Sequence, residues 1–163
     1  MNDRRKDQGR GVTHVGAEQR IKDLGIELPE PVQPIASYVR WVQSGNLLFI
    51  SGTGPGDEAQ RGKLGSTMSV EEGYQAAREV GLQILATAKD AHGDLDRVTR
   101  VVKVLGMVNC TPDFEQQPQV INGCSDLFIE VFGDAGKHTR SAVGFVALPA
   151  QIPVEIECTM EVR

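Results

Sequence analysis

Val154-Glu155-Ile156-Glu157-Cys158-Thr159-Met160-Glu161-Val162 alternates without a fault. Val154, Ile156, Cys158, Met160 and Val162 fall on one side; Glu155, Glu157, Thr159 and Glu161 fall on the other. A β-strand turns successive side chains to opposite faces, so this run is a strand with one buried face and one open face. Just upstream, His138-Thr139-Arg140-Ser141-Ala142-Val143-Gly144-Phe145-Val146-Ala147 reads as a second strand. Val143, Phe145 and Ala147 share one of its faces, and Arg140, Ala142 and Gly144 share the other. The guanidinium therefore has neighbours with almost no side-chain bulk. A cation beside vacant volume is placed to face a ligand.

Working outward, a helix is expected from about Gln119, with Val120, Ile121, Cys124, Leu127, Phe128 and Val131 on its inner side and Gly133 at its end. Thr111-Pro112 resembles an earlier helix start, but Pro118 is read as an interruption. Val98–Val108 is a Val-rich strand. Before it lies the clearest helix, opened by Ser69 with Glu72 as a capping box and closed by His92-Gly93. Val70, Tyr74, Ala77, Gly81, Ile84, Leu85 and Ala88 trace its apolar stripe.

Strands at Ser37–Gln43 and Asn46–Ser51 are joined by a Ser44-Gly45 turn, and a short strand is placed near Lys63-Leu64. Ala17–Leu24 is a short helix ended by Gly25. The order strand, strand, helix, strand, helix, strand, strand predicts an α+β fold: a mixed sheet of about five or six strands with two helices packed on one face. Leu47-Leu48-Phe49-Ile50 and Val101-Val102 are apolar on both parities, so the second sheet face is expected to be buried by another copy of the chain.

The chain has 163 residues, 40% of them apolar and 24% charged, which suits one domain over residues 17–163 without disulfides or metal. Residues 1–16 are polar and aperiodic and are read as a disordered or loosely attached tail. A net charge of −5 and no basic stripe after residue 23 weigh against a nucleic-acid partner. Cys110, Cys124 and Cys158 are odd in number and widely spaced, as buried small hydrophobes in a reducing cytoplasm would be. No membrane span, signal peptide, metal site or cofactor motif is read. Gly52-Thr53-Gly54-Pro55-Gly56 lacks the lysine and hydroxyl of a phosphate loop.

Tyr38, Leu48-Phe49-Ile50-Ser51-Gly52, the Ser69 helix, Asp113-Phe114, Arg140-Ser141-x-Val143, Leu148-Pro149 and Val154-Glu155-Ile156-Glu157 together resemble the RidA/YjgF family of reactive-intermediate deaminases, over about residues 34–163. Leu24 to Pro29 and the Asn122–Leu127 segment resemble a less characterised branch of it. The resemblance implies a chorismate-mutase-like fold assembled as a homotrimer, with ligand clefts between subunits and no cofactor. It also implies that Arg140 holds the carboxylate of a small metabolite and that Glu155 orients water, or moves a proton, to hydrolyse an imine. Residues matching Tyr38, Ser51 and Gly52 line the cleft. Where the family has Ser-Gly-Gln, this chain has Ser51-Gly52-Thr53; Ala142 stands where a cysteine is common. The family's helix asparagine is represented by Ser125 or by Asn122.

An arginine offers a planar fork to a carboxylate, and an imine carbon needs oriented water and proton transfer more than a metal. Glu157 shares the face of Glu155 and is the other candidate acid. His138, two residues before Arg140, lies on the arginine's face as a possible proton shuttle or a structural histidine. Two other functions are weighed: a non-catalytic trimeric binder of small carboxylates, and an endoribonuclease or translation inhibitor, which the acidic body disfavours.

Overall fold

The protein is described here by a computed structural model covering residues 15–31, 37–56 and 61–163. The expected tail lies almost wholly outside the described residues; Val15 and Gly16 lead directly into the first helix.

Five strands form one mixed sheet: β1 (Trp41–Ser44), β2 (Leu47–Thr53), β3 (Val98–Asn109), β4 (Thr139–Phe145) and β5 (Val154–Val162), in the spatial order β1-β2-β5-β3-β4. β5 is antiparallel to both of its neighbours, β2 and β3, and β4 joins β3 in parallel. Three helices accompany them: α1 (Ala17–Asp23), α2 (Val70–His92) and α3 (Gln117–Phe132). α2 and α3 pack together and against one face of the sheet, as expected, while α1 lies against α3.

The alternation in β5 is realised in full. Val154, Ile156, Cys158, Met160 and Val162 are buried beneath the helices, and Glu155, Glu157, Thr159 and Glu161 are not. All six residues expected on the inner side of α3 are buried, and they meet Val80, Ile84 and Leu85 of α2 in one core. The Ser69 capping box is present in both directions, the Ser69 hydroxyl accepting from the Glu72 N–H and the Glu72 carboxylate accepting from the Ser69 N–H.

Four boundaries differ from expectation. α3 begins at Gln117 with Pro118 in its first turn, where a missing N–H leaves no helical bond unmade. β1 begins at Trp41 rather than at residue 37, because Ser51 takes the carbonyls of Val39 and Arg40 and the chain bends away before them. The hairpin turn is Gly45-Asn46 instead of Ser44-Gly45. The strand expected at Lys63-Leu64 is reduced to isolated bridges from Leu64 to Met68 and to Cys110.

Among the described residues, no helix covers the far side of the sheet. Val42, Phe49, Val143 and Phe145 there remain 41–53% exposed in the single chain, an apolar face with no cover.

Candidate functional site

Arg140 stands on the edge strand β4, level with Val104 of β3, and its side chain leaves the sheet on the helix-covered face. The space beside Ala142 and Gly144 is not vacant, contrary to the sequence expectation. Cys110 and Gln117 fill the place where a side chain at Gly144 would sit. The guanidinium turns instead to α3. Nη1 donates to Asn122 Oδ1 (2.9 Å) and Ser125 Oγ (3.0 Å), and Nη2 donates to the Pro118 carbonyl (3.3 Å).

Asn122 and Ser125 are three apart on the helix and so share its face. Both accept from the guanidinium. These three bonds use three of the five guanidinium donors. The two that remain are one on Nε and one on Nη2. No carboxylate among the described residues forms an ion pair with Arg140.

Behind Arg140 lies a residue whose part in the site sequence reasoning left undecided. His138 Nε2 is 3.0 Å from Ser125 Oγ, its Nδ1 is 2.6 Å from the Gly136 carbonyl, and its ring meets Phe128 edge-on at 6.0 Å. Burial holds its pKa below the usual histidine value, with the charge of Arg140 acting the same way and the Gly136 carbonyl opposing.

The other predicted residues gather on the open face. Glu155 lies over Gly52, whose lack of a β-carbon leaves the room that its carboxylate occupies. Burial raises the Glu155 pKa, and the nearby charge of Glu157 raises it further. Tyr38 and Ser51 line a hollow of about 460 Å³ together with Val39, Phe49, Lys103 and Glu157. Lys103 and Glu157 bring a cation and an acid into it. Lys103 was not foreseen, since a lone lysine in a Val-rich strand carries no motif.

The predicted site thus divides into two groups. Arg140 and Ser125 lie on the helix side of the sheet edge, and Tyr38, Ser51, Gly52 and Glu155 lie on the open side. Among the described residues no group of three His, Cys, Asp or Glu side chains could hold a metal ion.

A mixed sheet with helices on one face, a glycine-seated acid on the other and an unneutralised arginine at its edge defines a chorismate-mutase-like α+β protein. The chain belongs to the family described as "YjgF/chorismate_mutase-like, putative endoribonuclease", which matches residues 18–158. It is 42% identical over 147 residues to Protein TCP17 of Trypanosoma cruzi, covering 88% of this chain and 92% of that protein. The solved structure of Atu1372 from Agrobacterium tumefaciens is 40% identical, with a TM-score of 0.82 over 90% of this chain and 94% of that one. TdcF of E. coli, solved with bound serine, is 26% identical, with a TM-score of 0.56 over 82% of this chain and 93% of that one.

Proposed function

We propose that this protein is a RidA-like hydrolase that deaminates small carboxylate-bearing enamine or imine intermediates of amino-acid metabolism. The observation that carries this reading is the guanidinium of Arg140. It is fixed by three neutral oxygens, is left without an acidic partner among the described residues, and keeps two donors, on Nε and Nη2, for a ligand. A substrate carboxylate completes it, and such charge-assisted bonds contribute about 1.5–3 kcal/mol each. Serine bound to TdcF is a ligand of the same carboxylate class.

Arg140 and Glu155 leave opposite faces of the sheet, so the working site is assembled between copies. Arg140 of one subunit clamps the carboxylate while Tyr38, Ser51, Gly52 and Glu155 of its neighbour line the other wall. The exposed apolar open face is the surface that such a homotrimer buries. Glu155, with its raised pKa, takes a proton from water as the oxygen adds to the imine carbon. It returns that proton to nitrogen. The carbinolamine so formed gives its hydroxyl proton to the nitrogen by way of Glu155; the C–N bond then breaks, its electron pair leaves with ammonia, and the carbonyl of a 2-oxo acid forms.

The test is release of ammonia and 2-oxobutanoate from 2-iminobutanoate generated in situ. Glu155→Gln is expected to lower turnover by about 10²–10⁴-fold while 2-oxobutanoate still binds. Arg140→Ala is expected to lose binding itself. Wild-type protein that binds the oxo acid but releases no ammonia would instead be a carboxylate carrier.

A further inference from the structure

The directions of the hydrogen bonds around Arg140 are fixed by chemistry. The Gly136 carbonyl can only accept, so Nδ1 of His138 carries the proton in the 2.6 Å contact between them. In the neutral ring Nε2 is then a lone pair, and the hydroxyl proton of Ser125 points to it across 3.0 Å. The guanidinium cannot accept, so Nη1 of Arg140 donates to the oxygen of Ser125. A single chain of donors results, running from Arg140 to Ser125 to His138 to Gly136.

We propose that Ser125 and His138 form a positioning relay that sets the orientation of the Arg140 guanidinium, and so decides which edge of it meets the ligand carboxylate. The proposal rests on the reading of Arg140 as a carboxylate clamp and extends it to two residues that act through the arginine.

The relay works only with a neutral imidazole. A proton on Nε2 sets two cationic donors against one hydroxyl oxygen, and the hydroxyl hydrogen loses its acceptor. Facing His138 are Ser125 and the Phe128 ring from α3, the Gly136 carbonyl from the 3-10 turn Gly133–Gly136, and Arg140 from its own strand. Arg140 is the one charged group acting on it among the described residues. Asp126 and Glu130, the acids nearby on α3, are turned to Tyr74 and Arg78 of α2. Asp134, on the 3-10 turn, is paired with Lys137 at 2.7 Å, and among the described residues no carboxylate acts to favour the imidazolium.

The test is nitrogen NMR of the full chain with labelled histidine and arginine, alongside calorimetric titration with 2-oxobutanoate. Expected are the Nδ1–H tautomer of His138 and separate, slowly exchanging Nη signals of Arg140. Those signals should average in Ser125→Ala and in His138→Leu, but persist in His138→Gln, whose amide oxygen can still accept from Ser125. They should also average in the wild type as pH falls through the His138 pKa, and remain separate in His138→Gln. Affinity for 2-oxobutanoate should fall about tenfold in His138→Leu, the loss of one ordered hydrogen-bond chain, and return to within about twofold in His138→Gln.

An Nε2–H tautomer would overturn the relay. So would Arg140 signals and affinity unchanged in both Ser125→Ala and His138→Leu. Should His138→Leu lose its folded amide spectrum, Ser125→Ala and the wild-type tautomer decide the matter. Ordered Arg140 signals in a wild-type protein that binds no 2-oxo acid would uphold the relay and count against the deaminase reading alone.

Discussion

Glu155 and Glu157 stand on the same face of β5, and the second acid tunes the first. Burial is the larger cause of the raised Glu155 pKa, with the charge of Glu157 added to it. The base role proposed for Glu155 needs it deprotonated, so the rate should climb as pH rises through its pKa. Glu157→Gln removes one of the two raising causes, so the acid limb of the kcat profile should move to lower pH; a limb that stays in place would remove Glu157 from this role. His138 makes stability depend on pH in the same direction. Its folded pKa is depressed, so its contribution is intact above about pH 6.5 and is lost as pH falls through the folded value. Calorimetric melting between pH 7 and 5 should therefore show a shallower acid decline for His138→Gln than for the wild type. Arg140 and Glu155 stand out as candidates from strand pattern and family resemblance, and Tyr38, Ser51, Gly52 and Ser125 from the resemblance. The division of the site could not. Which face a strand residue takes is legible from alternation, but whether two faces meet depends on a neighbouring copy that the pattern does not describe. The hold of α3 on Arg140 was hidden for another reason. Small neighbours were read as vacancy, whereas Cys110 and Gln117 arrive from distant segments to fill it.

At the level of elements, local rules were followed wherever the chemistry was local. The capping box of α2 was legible from Ser69 and Glu72 alone, and Ser69→Ala should cost about 1 kcal/mol of stability in denaturant unfolding. Pro118 misled because proline breaks a helix interior yet suits its first turn, and only the tertiary position of α3 decides between the two. β1 was drawn too long because the segment Ser37–Arg40 has strand composition while its carbonyls are taken up by Ser51. The crossing of α2 and α3 depends on a residue that no periodicity marks. A β-carbon at Gly123 would run into the Tyr74 carbonyl and the Arg78 N–H, both backbone groups that cannot turn aside. Gly123→Ala should therefore exceed the usual overpacking cost, losing about 3 kcal/mol or more, with both helices displaced. Unfolding unchanged by that substitution would mean the helices separate at little cost.

For the whole molecule, the open sheet face and the divided site lead to one expectation. Phe49 sits exposed among Val42, Tyr38 and Ser51, so Phe49→Asp places a charge where the proposed trimer needs an apolar contact. Sedimentation should then report a smaller species, and deaminase activity should be lost along with it although Arg140 and Glu155 are untouched. Full activity in a dissociated monomer would refute a site shared between copies. The sheet also imposes an order on its own making. β5 is the latest strand in the chain yet lies between β2 and β3, so until it is synthesised the hairpin β1-β2 and the pair β3-β4 have no common partner. A nascent polypeptide paused on the ribosome before Val154 holds two unzipped halves, each with an unpaired rim. Such stalled chains should be cut readily by protease and drawn to chaperones, until the last nine residues of strand slide into the gap.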